Sequence, residues 1–193
     1  MLRPLFFAAI AALTIGCSVL PPVLPPATVH DLGAPSETQS LAPPCDPVVA
    51  VSAPDWLDDG AILYRPDQGT QLAAYRDHRW VAPPSALLSE RLRGLLPAPK
   101  KEGQPRCWLD LSITAFEQGF TVDGNATAMI AARARLSAGR AGPTLASTDF
   151  VHREPSLTPD VQGGIPSLAA AMKALAEQVA AWLVNVAQEA EWE

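Results

Sequence analysis

The chain has 193 residues, enough for one domain of ordinary size with a real core, and its 14 basic and 20 acidic side chains give a net charge of −6. Removing the first 16 residues takes away one arginine and no acid, so the remainder is more acidic still. An acidic chain has no electrostatic footprint for nucleic acid, and this excludes a nucleic-acid partner.

The first 16 residues have the layout of a secretory signal peptide, with Arg3, an apolar stretch over 5–13 and small residues before Cys17. The apolar stretch is shorter than the roughly 20 residues of a spanning helix. The segment 13–17 resembles the lipobox of bacterial lipoproteins, with Thr14 where leucine is usual. This resemblance implies cleavage before Cys17, a diacylglycerol on its thiol and a third acyl chain, such as palmitate, on its amine. The alternative is an ordinary secreted domain with a buried or paired Cys17.

Lipidation would decide how the chain meets a membrane. Each buried methylene contributes roughly 0.8 kcal/mol, so two or three acyl chains make a permanent anchor. The residue after Cys17 is Ser18 rather than the aspartate that retains enterobacterial lipoproteins in the inner membrane. By that resemblance we expect an outer-membrane anchor facing the periplasm.

The segment 17–47 is rich in proline and poor in charge, with no helical period. Such a stretch cannot bury a core and is expected to be an extended spacer. At about 3.1 Å per residue it would hold a domain up to roughly 80 Å from the membrane. We therefore expect a signal peptide over 1–16, a tether over 17–47 and one folded domain over 48–190.

With Cys17 acylated, Cys45 and Cys107 remain, in an exported protein where disulfides persist. Cys45 precedes the apolar run 48–51, and Cys107 opens the alternating run 107–116. If these runs are parallel neighbouring strands, both thiols lie at the same end of a sheet. A bridge would close a loop of about 60 residues and contribute roughly 4 kcal/mol. Two separate buried thiols are the alternative.

Hydrophobic periodicity predicts six strands and two helices in the domain. In chain order these are strands over 48–52, 62–65 and 72–75, a helix over 83–96, strands over 107–116, 126–136 and 144–151, and a helix over 167–188. In the first long strand Leu109, Leu111, Ile113 and Ala115 are expected on one face. The last three strands should form a meander. The predicted fold is a mixed α/β domain with a largely antiparallel sheet and two main helices.

Residues with catalytic or metal-binding chemistry are sparse. His30 in the spacer, His78 in a polar turn and His152 at a strand end stand alone, without metal-ligand spacing. A triad of Asp77, His78 and Ser85 can be drawn only on paper, because no Gly-x-Ser-x-Gly elbow presents the serine. The glycine pair 163–164 is interpreted as a flexible lead into the last helix. We expect that the protein is not an enzyme and that it holds no metal and no cofactor other than the acyl chains.

Aromatic, leucine and arginine residues follow a fixed order through the domain. They are Ile62, Leu63, Tyr64, Arg65, Leu72, Tyr75, Arg79, Trp80, Pro83, Pro84, Leu87, Leu88, Arg91 and Leu92, followed by Leu109, Leu111, Phe116, Gln118 and Phe120. Together with the terminal amphipathic helix, this order resembles the ABC-type transport auxiliary lipoproteins, the PqiC-like family, over most of residues 45–186. The resemblance implies a fold similar to the anticodon-binding-domain-like group.

The resemblance also implies partners. Family members accompany a permease, an ATPase and a mammalian-cell-entry (MCE) domain protein that move lipids between bacterial membranes, and self-association stays open. Tyr64, Arg65, Tyr75, Arg79 and Trp80 are then family-motif residues, which we interpret as pinning the short strands to the first helix rather than contacting a partner. Two alternatives are a lipid- or small-ligand-binding module and an assembly lipoprotein for an outer-membrane β-barrel. A neighbouring MCE gene would favour transport, and a barrel gene would favour assembly.

Overall fold

The computed structural model describes residues 26–34, 41, 43, 45–67, 69–96 and 105–189. Within these residues seven strands form one mixed sheet, which two helices accompany. The elements are β1 (Thr28–His30), β2 (Asp46–Ser52), β3 (Ala61–Arg65), β4 (Ala73–Trp80), α1 (Pro84–Leu95), β5 (Arg106–Phe120), β6 (Ala126–Ser137), β7 (Thr144–Pro155) and α2 (Val161–Glu189). The predicted mixed α/β class is confirmed.

The sheet is organised around the long strand β5. Its first half pairs in parallel with β2 and its last residues pair in parallel with β3, both on the same side. β6 lies antiparallel along its other side, and β7 lies antiparallel to β6, so the predicted meander is confirmed. β4 pairs antiparallel with β3, and β1 adds a short parallel strand beyond β4. Two short strands therefore share one flank of a single long one.

The predicted alternation along β5 breaks near its middle. The pairing with β6 shifts register between Ile113 and Ala115, so one residue of β5 is extra. Beyond this bulge Phe116 is buried in the core and Ala115 is not, which makes the expected place of Ala115 among the core residues wrong. A bulge moves all later side chains of a strand to the opposite face, which a strict period of two does not predict.

Both helices cover the same face of the sheet, since α1 packs against β2 and α2, and α2 packs across β5, β6 and β7. α1 begins at Pro84, where a missing N–H costs nothing, and ends before Pro97, as predicted. α2 is long and apolar enough to cross a bilayer, but most of its apolar side is buried against the sheet. The core-facing interpretation of α2 is thus correct.

Two expectations need correction. The strand that begins at Ala73 continues to Trp80, so His78 lies in β4 and not in a turn. α2 begins at Val161, so the glycine pair 163–164 is helical and buried rather than a flexible lead. Long-range packing decides both points: strand pairing extends β4, and contacts with the sheet stabilise the first turn of α2 despite its glycines.

The segment expected to be only a spacer contributes to the fold. Thr28–His30 forms β1, and the backbone N–H of Val81 donates to the carbonyl of His30 at 2.7 Å. Leu32 and Leu41 pack against the core, and Leu41 N–H donates to the carbonyl of Leu95. The proline content did not reveal this, because β1 is completed by a partner strand some fifty residues later. The roughly 80 Å spacer was therefore an overestimate.

Candidate functional site

The residues predicted to matter fall into separate places in the fold. Cys17 lies outside the described residues. Cys45 and Cys107 are joined by a disulfide with Cα atoms 5.8 Å apart. β2 and β5 are the parallel neighbours that a bridge at one end of the sheet requires, with Pro47 opposite Cys107. Both cysteines are buried. The bridge connects the chain just before β2 to the first residues of β5.

Two of the family-motif residues, Tyr64 and Tyr75, meet where β3, β4 and β5 come together. The rings of Tyr64 and Tyr75 lie 4.5 Å apart, and Phe120 meets Tyr64 edge-on at 6.1 Å. The Tyr75 hydroxyl donates to Gln118 Oε1 at 2.7 Å. Burial, followed by the influence of Tyr64 and Asp160, raises the pKa of Tyr75 to about 12. Tyr75 therefore stays a hydrogen-bond donor at every physiological pH.

Gln118 links this aromatic cluster to the start of α2. Its amide nitrogen donates to Ser156 Oγ and to the carbonyl of Asp160, both at 3.2 Å. A Cβ on Gly164 would lie only 2.1 Å from Gln118 Oε1, so the helix approaches this closely because residue 164 lacks a side chain. Fully buried polar groups need such partners, and Gln118 has them.

The first turn of α2 is held by Asp160. Its carboxylate accepts from the backbone N–H of Gly163 at 3.0 Å and from the Thr158 hydroxyl at 2.7 Å. These two bonds, in that order, lower the pKa of Asp160. A Cβ on Gly163 would lie 2.3 Å from the carbonyl of Thr158. The glycine pair thus permits tight packing of the helix start on both sides.

Arg65 lies on the sheet face opposite the helices. Its guanidinium makes a bidentate pair with Glu117, at 2.7 Å for Nε to Oε1 and 3.0 Å for Nη2 to Oε2, and also donates to the carbonyl of Gly69. The Glu117 side chain is 5% exposed and that of Arg65 is 29% exposed. The hydrogen bond to Glu117 raises the pKa of Arg65 despite partial burial. The pair therefore fixes β3 and its turn to β5.

Arg79 and Trp80 lie away from this cluster, at the other end of β4. Trp80 stacks on Phe116 with ring centroids 5.5 Å apart, and its indole nitrogen has no partner in the described part of the chain. Arg79 donates to the carbonyl of Asp59 at 3.2 Å. Tyr64 and Tyr75 thus meet beside β5 on the face that carries the helices, and Arg65 pairs with β5 on the other face. The remaining two motif residues lie at the approach to α1.

The structure does not bring Asp77, His78 and Ser85 together as a catalytic triad. Ser85 lies in the first turn of α1 and donates to Asp58 through its hydroxyl at 2.6 Å and through its backbone N–H at 2.9 Å. His78 instead meets His30, with Nδ1 of the former 2.9 Å from Nε2 of the latter. The expectation that these histidines stand alone is wrong, because β1 brings them together.

His152 also has neighbours, which corrects its placement at a strand end. It lies within β7, with Nδ1 3.1 Å from Gln178 Nε2 and Nε2 3.5 Å from Glu154. Over the described ranges, no group of three or more His, Cys, Asp and Glu side chains is placed to hold a metal ion.

Glu117 was missed by the sequence reasoning, and Gln118 was noted only as part of the family pattern. A signal was present in Gln118, a polar residue between Phe116 and Phe120, which predicts a buried amide that needs partners. Nothing in the sequence indicates that Glu117 is buried, since an acidic residue that faces away from the helices is normally exposed to solvent. The long-range partner Arg65 decides its burial.

The fold is thus a mixed α/β domain with helices on one face of the sheet, a disulfide at one end and an internally satisfied polar network at the other. The family model of the ABC-type transport auxiliary lipoprotein component matches residues 31–181. The chain belongs to this family of lipoprotein components of ABC-type transport systems.

Solved structures share the fold. A crystal structure of a Xanthomonas campestris protein of the DUF330 family superposes with a TM-score of 0.69 at 19% identity, covering 84% of this chain and 98% of that one. A second crystal structure, of an uncharacterized protein, gives a TM-score of 0.60 at 16% identity, covering 82% and 99%. No protein of curated function matches the chain.

Proposed function

We propose that this protein is the outer-membrane-anchored periplasmic component of an MCE-type lipid transport system that links the two bacterial membranes, and that it acts without catalysis. The observation that carries the proposal is the family match over 31–181, which makes the chain an auxiliary lipoprotein of ABC-type transport. In this role it would dock the MCE component or help to form the conduit.

The proposed anchor is the acylated Cys17. The start of β1 at Thr28 lies eleven positions after Cys17 in the sequence. A fully extended chain spans at most about 3.6 Å per residue, so Thr28 lies within about 40 Å of the lipid. The domain then works close to one membrane and needs a partner to cover the rest of the periplasm, which an MCE protein would supply.

The polar groups of the described site support a structural role. The Tyr75, Gln118 and Asp160 network is satisfied internally, and the Arg65–Glu117 pair is closed on itself. General acid–base or nucleophilic catalysis would need such groups to face a substrate. We therefore assign them to positioning the sheet, and assign function to the surfaces of the domain.

Two measurements test this proposal. The intact mass of the mature protein extracted from membranes should correspond to a chain that begins at Cys17 and carries acyl groups. The Cys17→Ser variant should no longer be found in the membrane fraction. Reversible crosslinking in cells followed by mass spectrometry should recover an MCE-domain protein or its permease.

Each alternative gives a different result. Recovery of a β-barrel alone would move the assignment to barrel assembly, and recovery of nothing but bound lipid would move it to lipid binding. Cys45→Ala with Cys107→Ala, which leaves the anchor intact, is the matched control for Cys17→Ser.

A further inference from the structure

Three connections meet at one end of the sheet: 66–72 between β3 and β4, 121–125 between β5 and β6, and 156–160 between β7 and α2. Strand register places them side by side, since Arg65 pairs with Gly119, which pairs with Thr127, which pairs with Pro155. These connections carry three acids and no lysine or arginine. We call this the acidic end; its acids are Asp67, Asp123 and Asp160.

The two most exposed large apolar side chains of the described residues both lie at the acidic end. Val122 is 99% exposed and Leu157 is 92% exposed, whereas the other exposed large hydrophobic residues range from 51% to 59%. Turns favour glycine, asparagine, aspartate, serine and proline, so neither residue is explained by local conformation. Single exposed apolar residues are common, but two in adjacent turns give this end of the sheet two apolar tips.

The described chain before β1 points toward the same end. β1 runs parallel to β4, and β4 starts at the acidic end, with Ala73 beside Tyr64. The chain before Thr28 is therefore directed back toward that end, and Ala27 borders a surface groove with Tyr75 and Arg76. Thr28 lies level with His78, five residues into β4, or about 17 Å from the end. A fully extended chain of about 40 Å would therefore allow Cys17 to lie at most about 20 Å beyond that end of the domain.

We propose that the acidic end rests on the membrane leaflet that holds Cys17, with Val122 and Leu157 inserted into the lipid interface. This inference depends on the acylated Cys17 of the proposed function. The anchor fixes distance, while the two apolar tips fix orientation. Because the surrounding turns carry only acids, the insertion suits a zwitterionic leaflet and is opposed by anionic lipid.

The experiment uses the full acylated protein in phosphatidylethanolamine–phosphatidylcholine vesicles, with a nitroxide label on Val122→Cys or Leu157→Cys. Ala141→Cys, exposed in the turn at the opposite end, is the matched control. The native cysteines 45 and 107 are bonded and buried and take no label. We expect a several-fold higher ratio of collisions with oxygen to collisions with a water-soluble nickel complex at positions 122 and 157 than at 141. Added phosphatidylglycerol should lower it.

A second variant tests cooperation between the two tips. Val122→Asp in the protein labelled at 157 should return the ratio at 157 toward the value at 141. Equal ratios at 122, 157 and 141 on protein that floats with the vesicles would overturn the inference and leave the transport assignment standing. If the purified protein carries no acyl groups and does not float with the vesicles, both the inference and the proposed anchor are overturned. Immobilised labels without raised oxygen collisions would indicate contact between copies and also overturn it.

Discussion

The two ends of the sheet are built by different means. At the disulfide end, which comprises residues 41–47, 105–108 and the turn 138–143, the Cys45–Cys107 bond and the contact of Leu41 with Leu95 close the structure. At the acidic end the elements are held by side-chain hydrogen bonds around Gln118 and by the Arg65–Glu117 pair. One end is thus fixed covalently and the other by polar contacts.

The difference bears on function because the acidic end is the end toward which the chain from Cys17 leads. Polar contacts there allow tight packing without a large apolar surface, apart from Val122 and Leu157. The disulfide end points away from the proposed anchor. We therefore expect that the disulfide stabilises the end of the domain that faces the periplasm. The end near the membrane is stabilised by closely packed, hydrogen-bonded side chains.

Removing the disulfide should have the largest effect on stability. For Cys45→Ala with Cys107→Ala we expect the free energy of unfolding to fall by about 4 kcal/mol, because the unfolded chain regains the freedom of a loop of 62 residues. Chemical denaturation under oxidising conditions measures this. Reductant should destabilise the native protein and leave the variant unchanged, and equal stability of the two proteins would contradict this description of the disulfide end.

Removing Arg65 should have the next largest effect. Arg65→Met leaves the buried carboxylate of Glu117 without its partner, and we expect a loss of about 2–3 kcal/mol, reduced from the value for a fully buried pair because Arg65 is 29% exposed. Urea denaturation with fluorescence detection is the measurement.

The matched control for Arg65 is Arg133→Met. Arg133 pairs with Asp149 at a similar 2.8 Å, but the side chains are 71% and 63% exposed. Exposed pairs contribute little, so we expect Arg133→Met to unfold at nearly the same urea concentration as the native protein. Equal losses in the two variants would mean that burial of Glu117 has no importance for the acidic end.

Substitution of Gly164 tests the approach of α2 to Gln118. Gly164→Ala places a methyl group against the buried amide and should cost about 1–3 kcal/mol. Gly94→Ala in α1 is the control, because nothing lies within 4 Å of its added Cβ, and it should stabilise by about 0.5–1 kcal/mol. Thermal unfolding compares them. A neutral Gly164→Ala would show that the helix start is loosely packed.

The smallest effect concerns the edge strand β1. Burial, then the neighbouring His78, lowers the pKa of His30 below its ordinary value of 6.5, while Asp31 opposes this. Neutral His30 is therefore favoured by folding, so its contribution is full above about pH 6.5 and is lost as the pH falls below it. We expect the native Tm to fall more than that of His30→Asn between about pH 8 and pH 5.5. An equal fall of Tm with pH in the native protein and in His30→Asn would contradict this contribution of His30.

Local patterns were enough to predict most of the secondary structure. The meander, the limits of α1 and the amphipathic face of α2 follow from hydrophobic periodicity and proline positions. The bulge that places Phe116 in the core and the addition of β1 depend on partners distant in sequence, so they could not be predicted. For the same reason the meeting of His30 with His78 was missed.

The candidate site was predictable only in part. The family pattern singled out Tyr64 and Tyr75, which do meet beside β5, and Arg65, which contacts β5 from the opposite face. It could not show that Arg65 faces Glu117, because that depends on the parallel register of β3 and β5. Nor could it show that Gly164 packs on Gln118, since a glycine pair before a helix usually indicates flexibility.

Site-specific photocrosslinking in cells tests the central claim most directly, with a crosslinking amino acid at Ala141 in the turn of the disulfide end or at Leu157 at the acidic end. The account predicts that an MCE-domain protein is captured from position 141, while position 157 yields lipid adducts. Capture of no transport component from any position, or of an MCE-domain protein from position 157 alone, would contradict it.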